Sequence, residues 1–209
     1  MAVKKSKSLF ITFEGIDGCG KSTQALLTYK FLLENGLKAV MLREPGSTAI
    51  SEKIRDILLD KKNQISDSTE LLLYEAARAE ITSAEILPAL KKGMIVLCDR
   101  YYDSTTAYQG YGRKLNIRMV KSLHKVATGG LVPDLTFVFD LDLKTALSRQ
   151  SKDKDRLETQ PEAFFQRVRA GFNEIARKER RRVKLIDAAQ PIDKVFEDLK
   201  KYLLKKLDI

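Results

Sequence analysis

Nowhere in the 209 residues do 18 consecutive positions stay apolar, so no membrane-spanning helix is expected. The basic start, residues 1–8, leads into an apolar stretch too short for a secretion signal, and Glu14 ends it. Cysteine is scarce. The two present, Cys19 and Cys98, lack metal-ligand spacing, and a reducing cytoplasm is the expected setting. Histidine occurs once, at His124 in a helical stretch, and a lone helical histidine is read as a surface or core residue rather than a catalyst, so it is assigned no role. Low-complexity tracts are absent. Hydrophobic residues make up 44% of the chain, enough for a full core, and the length is most simply one domain, residues 1–209.

What is present is led by Gly15-Ile16-Asp17-Gly18-Cys19-Gly20-Lys21-Ser22, the pattern G-x-x-x-x-G-K-[ST]. Residues 9–13 before it are apolar and β-rich, and residues 23–34 after it read as a helix stopped at Asn35-Gly36. Strand, loop and helix are the context in which this motif cradles phosphate. Its glycines turn main-chain N–H groups inward, and the helix adds a positive dipole end. Lys21 supplies a mobile charge for the β- and γ-phosphates, and the Ser22 hydroxyl is a candidate Mg²⁺ ligand, with Thr23 opening the helix. A cysteine inside such a loop is a poor site for a structural disulfide. A chance match in a chain of this length is on the order of one per cent, given glycine near ~7% of residues, so a nucleoside triphosphate is expected here.

The net charge is +10. Nucleic acid is one partner for such a chain, but a site for two anionic nucleotides needs positive charge too. Much of the excess lies at 178–184 and 200–206, which read as solvated helix faces, and no basic platform interleaved with aromatics is visible.

Strand and helix alternate along the rest of the chain, the rhythm of a parallel α/β sheet. Residues 37–42 read as a strand, with Arg43-Glu44-Pro45-Gly46-Ser47-Thr48 shaped at its carboxyl end. An amphipathic helix follows over 50–59, with Ile50, Ile54, Ile57 and Leu58 on its apolar face and Arg55 on another. Asp67 or Ser68 caps a long helix through 90, on which Tyr74 and Arg78 share a face. That pair suits either a stacked base or a core Tyr under a snorkelling Arg. Residues 94–99 form an apolar run ending in Asp99, the shape of a strand whose carboxylate holds Mg²⁺; residues 137–140, ending in Asp140, are a second candidate. Arg100 and a dense polar segment, 101–110, favour Asp99. Helices are expected at 116–128, from 143 to 149, and at 163–181 and 192–207, with strands at 135–140 and 183–186. The charged, non-periodic stretch 151–158 is either a solvated loop or a lid.

Several blocks together resemble thymidylate kinases, a branch of the phosphate-loop nucleoside monophosphate kinases. They are Phe13-Glu14-Gly15 through Gln24, Arg43-Glu44-Pro45-Gly46, Tyr74-Glu75-Ala76-Ala77-Arg78, and Asp99-Arg100-Tyr101 through Ser104 to Gln109-Gly110. Leu131-Val132-Pro133-Asp134 to Asp140 and Asp155-Arg156-Leu157-Glu158 also match. The resemblance implies a phosphate-loop three-layer sandwich with a central parallel five-stranded sheet and a short lid at about 150–158. It implies transfer of the ATP γ-phosphoryl to dTMP with Mg²⁺, and a homodimer built from helices, with neither nucleic acid nor membrane as partner. By the family pattern Tyr74 stacks on thymine and Arg78 bonds its edge. Asp17 approaches the 3′-hydroxyl, and Arg100 and Arg55 hold the acceptor phosphate. Pro45, Ser104, Tyr108 and Gln109 line base and sugar, with Tyr108 standing where a ribose 2′-hydroxyl would be. Some members carry an Arg within the phosphate loop; here that position is Gly18, so the lid must supply the cation. Arg149 or Arg156 is expected in that role, or a Lys as a weaker substitute, since only Lys152 and Lys154 lie between Arg149 and Asp155. Two other activities fit parts of the pattern: a kinase acting on thymidine or dUMP, and a DNA-binding phosphate-loop ATPase.

Overall fold

The computed structural model describes residues 8–149 and 154–207. Five strands, β1 (Leu9–Glu14), β2 (Ala39–Arg43), β3 (Ile95–Asp99), β4 (Leu135–Asp140) and β5 (Val183–Asp187), form one sheet in the order β2-β3-β1-β4-β5. Every pairing is parallel. Helices cover both faces, so β1 is buried along its whole length, as a central parallel strand must be. Alternate side chains enter different layers. Leu9, Ile11 and Phe13 join the larger core with Phe137, Phe139, Leu32 and Leu199. Phe10 joins a smaller one with Val96, Cys98, Ile81 and Tyr101.

From β1 the chain runs through α1 (Lys21–Glu34) to the edge strand β2, returns to β3 beside β1, then crosses to β4 on the other flank. The winding reverses next to β1, where open sheets leave a crevice for ligands at the strands' carboxyl ends. Phe13 is in register with Asp99 there, so the phosphate loop and the polar segment after β3 are neighbours.

Three local expectations are corrected. The cap of α3 (Asp67–Ile81) is Ser66, whose Oγ accepts from the Thr69 N–H at 3.2 Å; Asp67 and Glu70 sit in the first turn, favouring the dipole. The helix does not run unbroken to 90. It widens into a π-type turn at Thr82–Ile86 before α4 (Leu87–Lys91), just ahead of Pro88, which has no N–H to continue the ladder. In α2 (Ala49–Leu59) only Leu58 of the four expected apolar residues is fully buried, while Ile50 and Ile57 are 55% and 46% exposed.

The polar segment after Asp99 is α5 (Tyr102–Thr105) running into a π-type turn at Thr106–Gly112, buried almost throughout. Asn116 caps α6 (Ile117–Thr128), which ends on left-handed Gly129. Then come α7 (Leu143–Ser148), α8 (Glu162–Lys178) and α9 (Ile192–Leu207). The chain leaves α8 sooner than periodicity suggests, through a turn closed by Arg182 N–H on the Glu179 carbonyl.

Candidate active site

Two clefts open at the carboxyl end of the sheet. The first is walled by Gly18 to Gln24 on one side and by Arg149 and the Ala188-Ala189-Gln190-Pro191 loop on the other. The second is lined by Asp17, Pro45, Arg55, Tyr74, Arg78, Arg100, Ser104, Tyr108 and Gln109. Every residue expected to touch the acceptor therefore lies on one wall system, and Asp17 joins it to the phosphate loop.

Around the phosphate loop, geometry is set by main-chain constraint. Gly20 caps α1 with φ 92°. Gly18 has φ 83°, and a Cβ there would stand 2.2 Å from the Ala146 carbonyl oxygen of α7. No side chain fits at 18 without moving that helix, so an arginine inside the loop is sterically excluded. Gly15, Ile16 and Cys19 complete the loop, with Ile16 and Cys19 in the core. Cys19 and Cys98 are both buried free thiols.

The Ser22 hydroxyl donates to Asp99 Oδ2, and Asp99 Oδ1 is buried with no hydrogen-bond partner among the described residues. Asp140, by contrast, is held bidentately by Arg169 at 2.6 and 2.9 Å. An orphaned carboxylate oxygen beside a hydroxyl is a fitting pair of donors for Mg²⁺, which takes its other oxygens from phosphate and water.

Asp17 lies between two cations. Lys21 Nζ is 3.0 Å from its Oδ1 and Arg100 Nη2 is 2.6 Å away, while the Tyr108 hydroxyl donates to Oδ2 at 3.1 Å. Burial alone would raise this carboxyl, but Arg100 and Lys21 hold it well below the usual range. Arg100 also donates to the Gly15 carbonyl (3.0 Å) and Ser104 Oγ (2.8 Å), and its guanidinium stacks 5.1 Å from the Tyr108 ring centre. It does so from φ 72°, the left-handed region, which costs a non-glycine residue on the order of 1 kcal/mol.

Glu14 holds that turn. Its Oε1 accepts from the Tyr101 N–H at 2.8 Å and its Oε2 lies 2.5 Å from Ser104 Oγ. Burial, reinforced by Asp103, pushes the carboxyl up to about 8, so it keeps its proton at neutral pH. Glu14→Gln, neutral at every pH, is expected to gain stability on the parent as pH rises from 5 to 8. Below 4.5 the parent carboxyl is neutral folded and unfolded alike. Above that the unfolded chain sheds the proton first, so unfolding is favoured until the folded carboxyl ionises too. Urea unfolding of both proteins at each pH checks this; a constant difference would mean Glu14 is ionised in the fold.

Arg78 is fully buried on α3. Nε donates to Glu44 at 2.9 Å, Nη1 to Glu75 at 2.8 Å and Nη2 to Thr105 Oγ1 at 3.0 Å. Its ring partner is Tyr101, at 5.5 Å, rather than Tyr74. Burial opposes the charge, but Glu44 and Glu75 outweigh it and hold Arg78 protonated. Nη2 also lies 2.9 Å from the same Glu44 oxygen; a guanidinium has five N–H groups, so one, on Nη1, remains for the cleft. Gln109 Nε2 donates to Glu70 at 2.9 Å, which fixes the amide and frees its oxygen to accept. Arg55 donates to the Pro45 carbonyl at 3.0 Å. Burial, then Glu70, pushes the Tyr74 hydroxyl well up, so the ring stays neutral.

Of the two lid arginines, Arg149 lines the first cleft. Arg156 is buried beneath the second, with Nε donating to the Leu58 carbonyl at 2.8 Å and Nη2 2.7 Å from Glu70. Part of the expected lid, including Lys152, lies outside the described residues, and Lys154 borders a shallow groove beside Asp60. Sequence reasoning missed the carboxylates that aim the guanidiniums, namely Glu44, Glu70 and Glu75, the Glu14 carboxyl that holds the turn after β3, and the 188–191 loop. Glu75 was hinted at by its spacing, three residues before Arg78 on one helix.

A family model described as thymidylate kinase matches residues 13–199. The thymidylate kinase of Thermoanaerobacter sp. (strain X514) is 46% identical over 202 residues, covering 94% of this chain and 100% of that one. That of Dehalococcoides mccartyi (strain CBDB1) is 48% identical, covering 92% and 94%. A crystal structure of thymidylate kinase from Ehrlichia chaffeensis superposes with a TM-score of 0.77 at 37% identity, covering 94% of this chain and 98% of that one. With geometry, family model and relatives in agreement over nearly its whole length, the chain belongs to the thymidylate kinase family.

Proposed function

We propose that the first cleft holds ATP and the second dTMP, and that the γ-phosphoryl passes between them to give ADP and dTDP. The gathering of all the acceptor residues on one cleft that meets the phosphate loop at Asp17 carries this reading. An oxygen of the dTMP phosphate forms the new bond to the γ-phosphorus, and the bond from that phosphorus to the β–γ bridging oxygen breaks. The transition state is loose, so positioning and charge do most of the work and no general base is needed. Main-chain amides of 15–20 and Lys21 hold the donor phosphates; Arg100 and Arg55 hold the acceptor phosphate, Arg by its bidentate fork. Tyr74 stacks on the thymine. The remaining N–H group of Arg78 meets a ring carbonyl and the Gln109 oxygen meets the ring N–H. Tyr108, anchored on Asp17, closes the space beside the sugar.

Ser22 and Asp99 would hold Mg²⁺, which when bound neutralises charge between the β- and γ-phosphates. Among the described lid residues, Arg149 is the cation that lines the donor cleft, and Arg156 serves as an anchor through Glu70. The test is direct. Purified protein with ATP and Mg²⁺ should convert dTMP to dTDP and favour it over dUMP and thymidine; no dTDP would end the proposal. No observation favours the DNA-binding alternative.

The assembly we propose is a homodimer through α2, α3 and α6, which pack side by side. Ile50 and Ile57 on α2, Leu72 on α3, and Met119 and Val126 on α6 are exposed, and each pair seven apart shares a helical face. Apolar side chains exposed on neighbouring helices in this way suit an interface. Leu72→Asp with Ile57→Asp is expected to shift the protein from dimer to monomer in light scattering, whereas a monomeric parent would remove the dimer. Two buried free thiols suit a reducing cytoplasm. Among the described residues no helix is long and apolar enough to cross a membrane.

A further inference from the structure

His124 lies on α6, 6% exposed, behind the second cleft rather than on its lining. Both ring nitrogens are engaged. Nδ1 is 2.7 Å from Glu75 Oε1 and Nε2 is 2.9 Å from Thr106 Oγ1. The ring stacks on Tyr102 with centres 5.3 Å apart. Burial disfavours the imidazolium, and although Glu75 opposes this, the pKa is lowered from its ordinary value, so the ring is neutral. A neutral imidazole has one donor and one acceptor. Glu75, held ionised by Arg78 and His124 against its burial, only accepts. The proton therefore sits on Nδ1, and Nε2 accepts the Thr106 hydroxyl hydrogen.

The result is a directed chain. Thr106 donates to His124, His124 donates to Glu75, and Arg78 donates to the same Glu75 oxygen. Its ends flank the acceptor cleft. Arg78 is at one, and the segment carrying Ser104, Thr105, Tyr108 and Gln109 is at the other. Thr105 closes the ring by accepting from Arg78 Nη2.

We propose that His124 is a positioning residue for the acceptor base: by fixing Glu75 it sets the plane of the Arg78 guanidinium, and by fixing Thr106 it holds the segment that carries Gln109. This rests on the reading of Arg78 as the group that bonds the base edge. A His that only filled core space would, when replaced, lower stability without sorting one substrate from another. A positioning His sorts them.

His124→Phe keeps the stack on Tyr102 and deletes both polar contacts. It is expected to raise KM for dTMP roughly tenfold, the scale of one lost bond to a charged group, with KM for ATP and kcat within about twofold. The rise should fall to about twofold with an acceptor whose ring lacks the 4-carbonyl oxygen, and should nearly vanish on the Arg78→Ala background, as coupled residues require. His124→Asn, which retains a donor and an acceptor, should recover part of the loss. If His124→Phe does not fold, Thr106→Val carries the same comparison with an expected rise of about threefold. Equal losses for ATP and dTMP, or the same factor with the acceptor lacking the carbonyl, would overturn the proposal. An Arg78→Ala variant with normal dTMP KM removes the base-edge reading and this proposal with it. A raised KM in Arg78→Ala beside an unchanged one in His124→Phe removes this proposal alone.

Discussion

Lys21→Ala should lower turnover by about 10³-fold or more, the scale seen when a fixed charge on a transferring phosphoryl group is lost, while the protein still folds. The loop is shaped by main-chain conformation and glycines rather than by this side chain. Lys21 contributes one of the two cations on Asp17, and Arg100, at 2.6 Å, remains to hold the carboxylate. A coupled assay for ADP release and a thermal unfolding curve measure the two halves of the expectation. Normal turnover would mean that the donor phosphates lie elsewhere.

Arg100 should be nearly as sensitive and more informative. Its guanidinium is bound at once to Gly15, Asp17 and Ser104, so it ties the phosphate loop to the segment after β3. Arg100→Ala is expected to lower kcat/KM for dTMP by about 10²–10⁴-fold, through lost grip on the phosphate and lost alignment. Arg100→Gly should be equally inactive yet more stable than Arg100→Ala by about 1 kcal/mol, because glycine adopts φ 72° freely. Urea unfolding of the two variants, beside their rates with dTMP varied, tests both statements. An Ala variant as stable as the Gly variant would show that the backbone there relaxes once the side chain is gone.

The parts legible in the sequence were those written by local rules. The glycine pattern between an apolar strand and a helix located the phosphate loop. The sheet followed from strand and helix alternation, and the residues that the resemblance assigns to the acceptor line one cleft. What stayed hidden depended on distance along the chain. Glu14 and Ser104 meet across 90 positions and Arg78 and Glu44 across 34; no periodicity announces such pairs. The burial of Ile50 and Ile57 was overestimated because a helix can carry a second apolar stripe, and periodicity does not say which stripe the core takes. The π-type turn before Pro88 is not legible because side-chain periodicity does not report a single widened turn inside a helix. His124 looked inert because a single histidine carries no spacing, and its meaning lies only in what it touches.

The crowding of Gly18 against the Ala146 carbonyl has an evolutionary corollary. A single codon change could not place a guanidinium at position 18, since α7 would first have to withdraw. A compound built to pair with a loop arginine would find no counterpart in this enzyme.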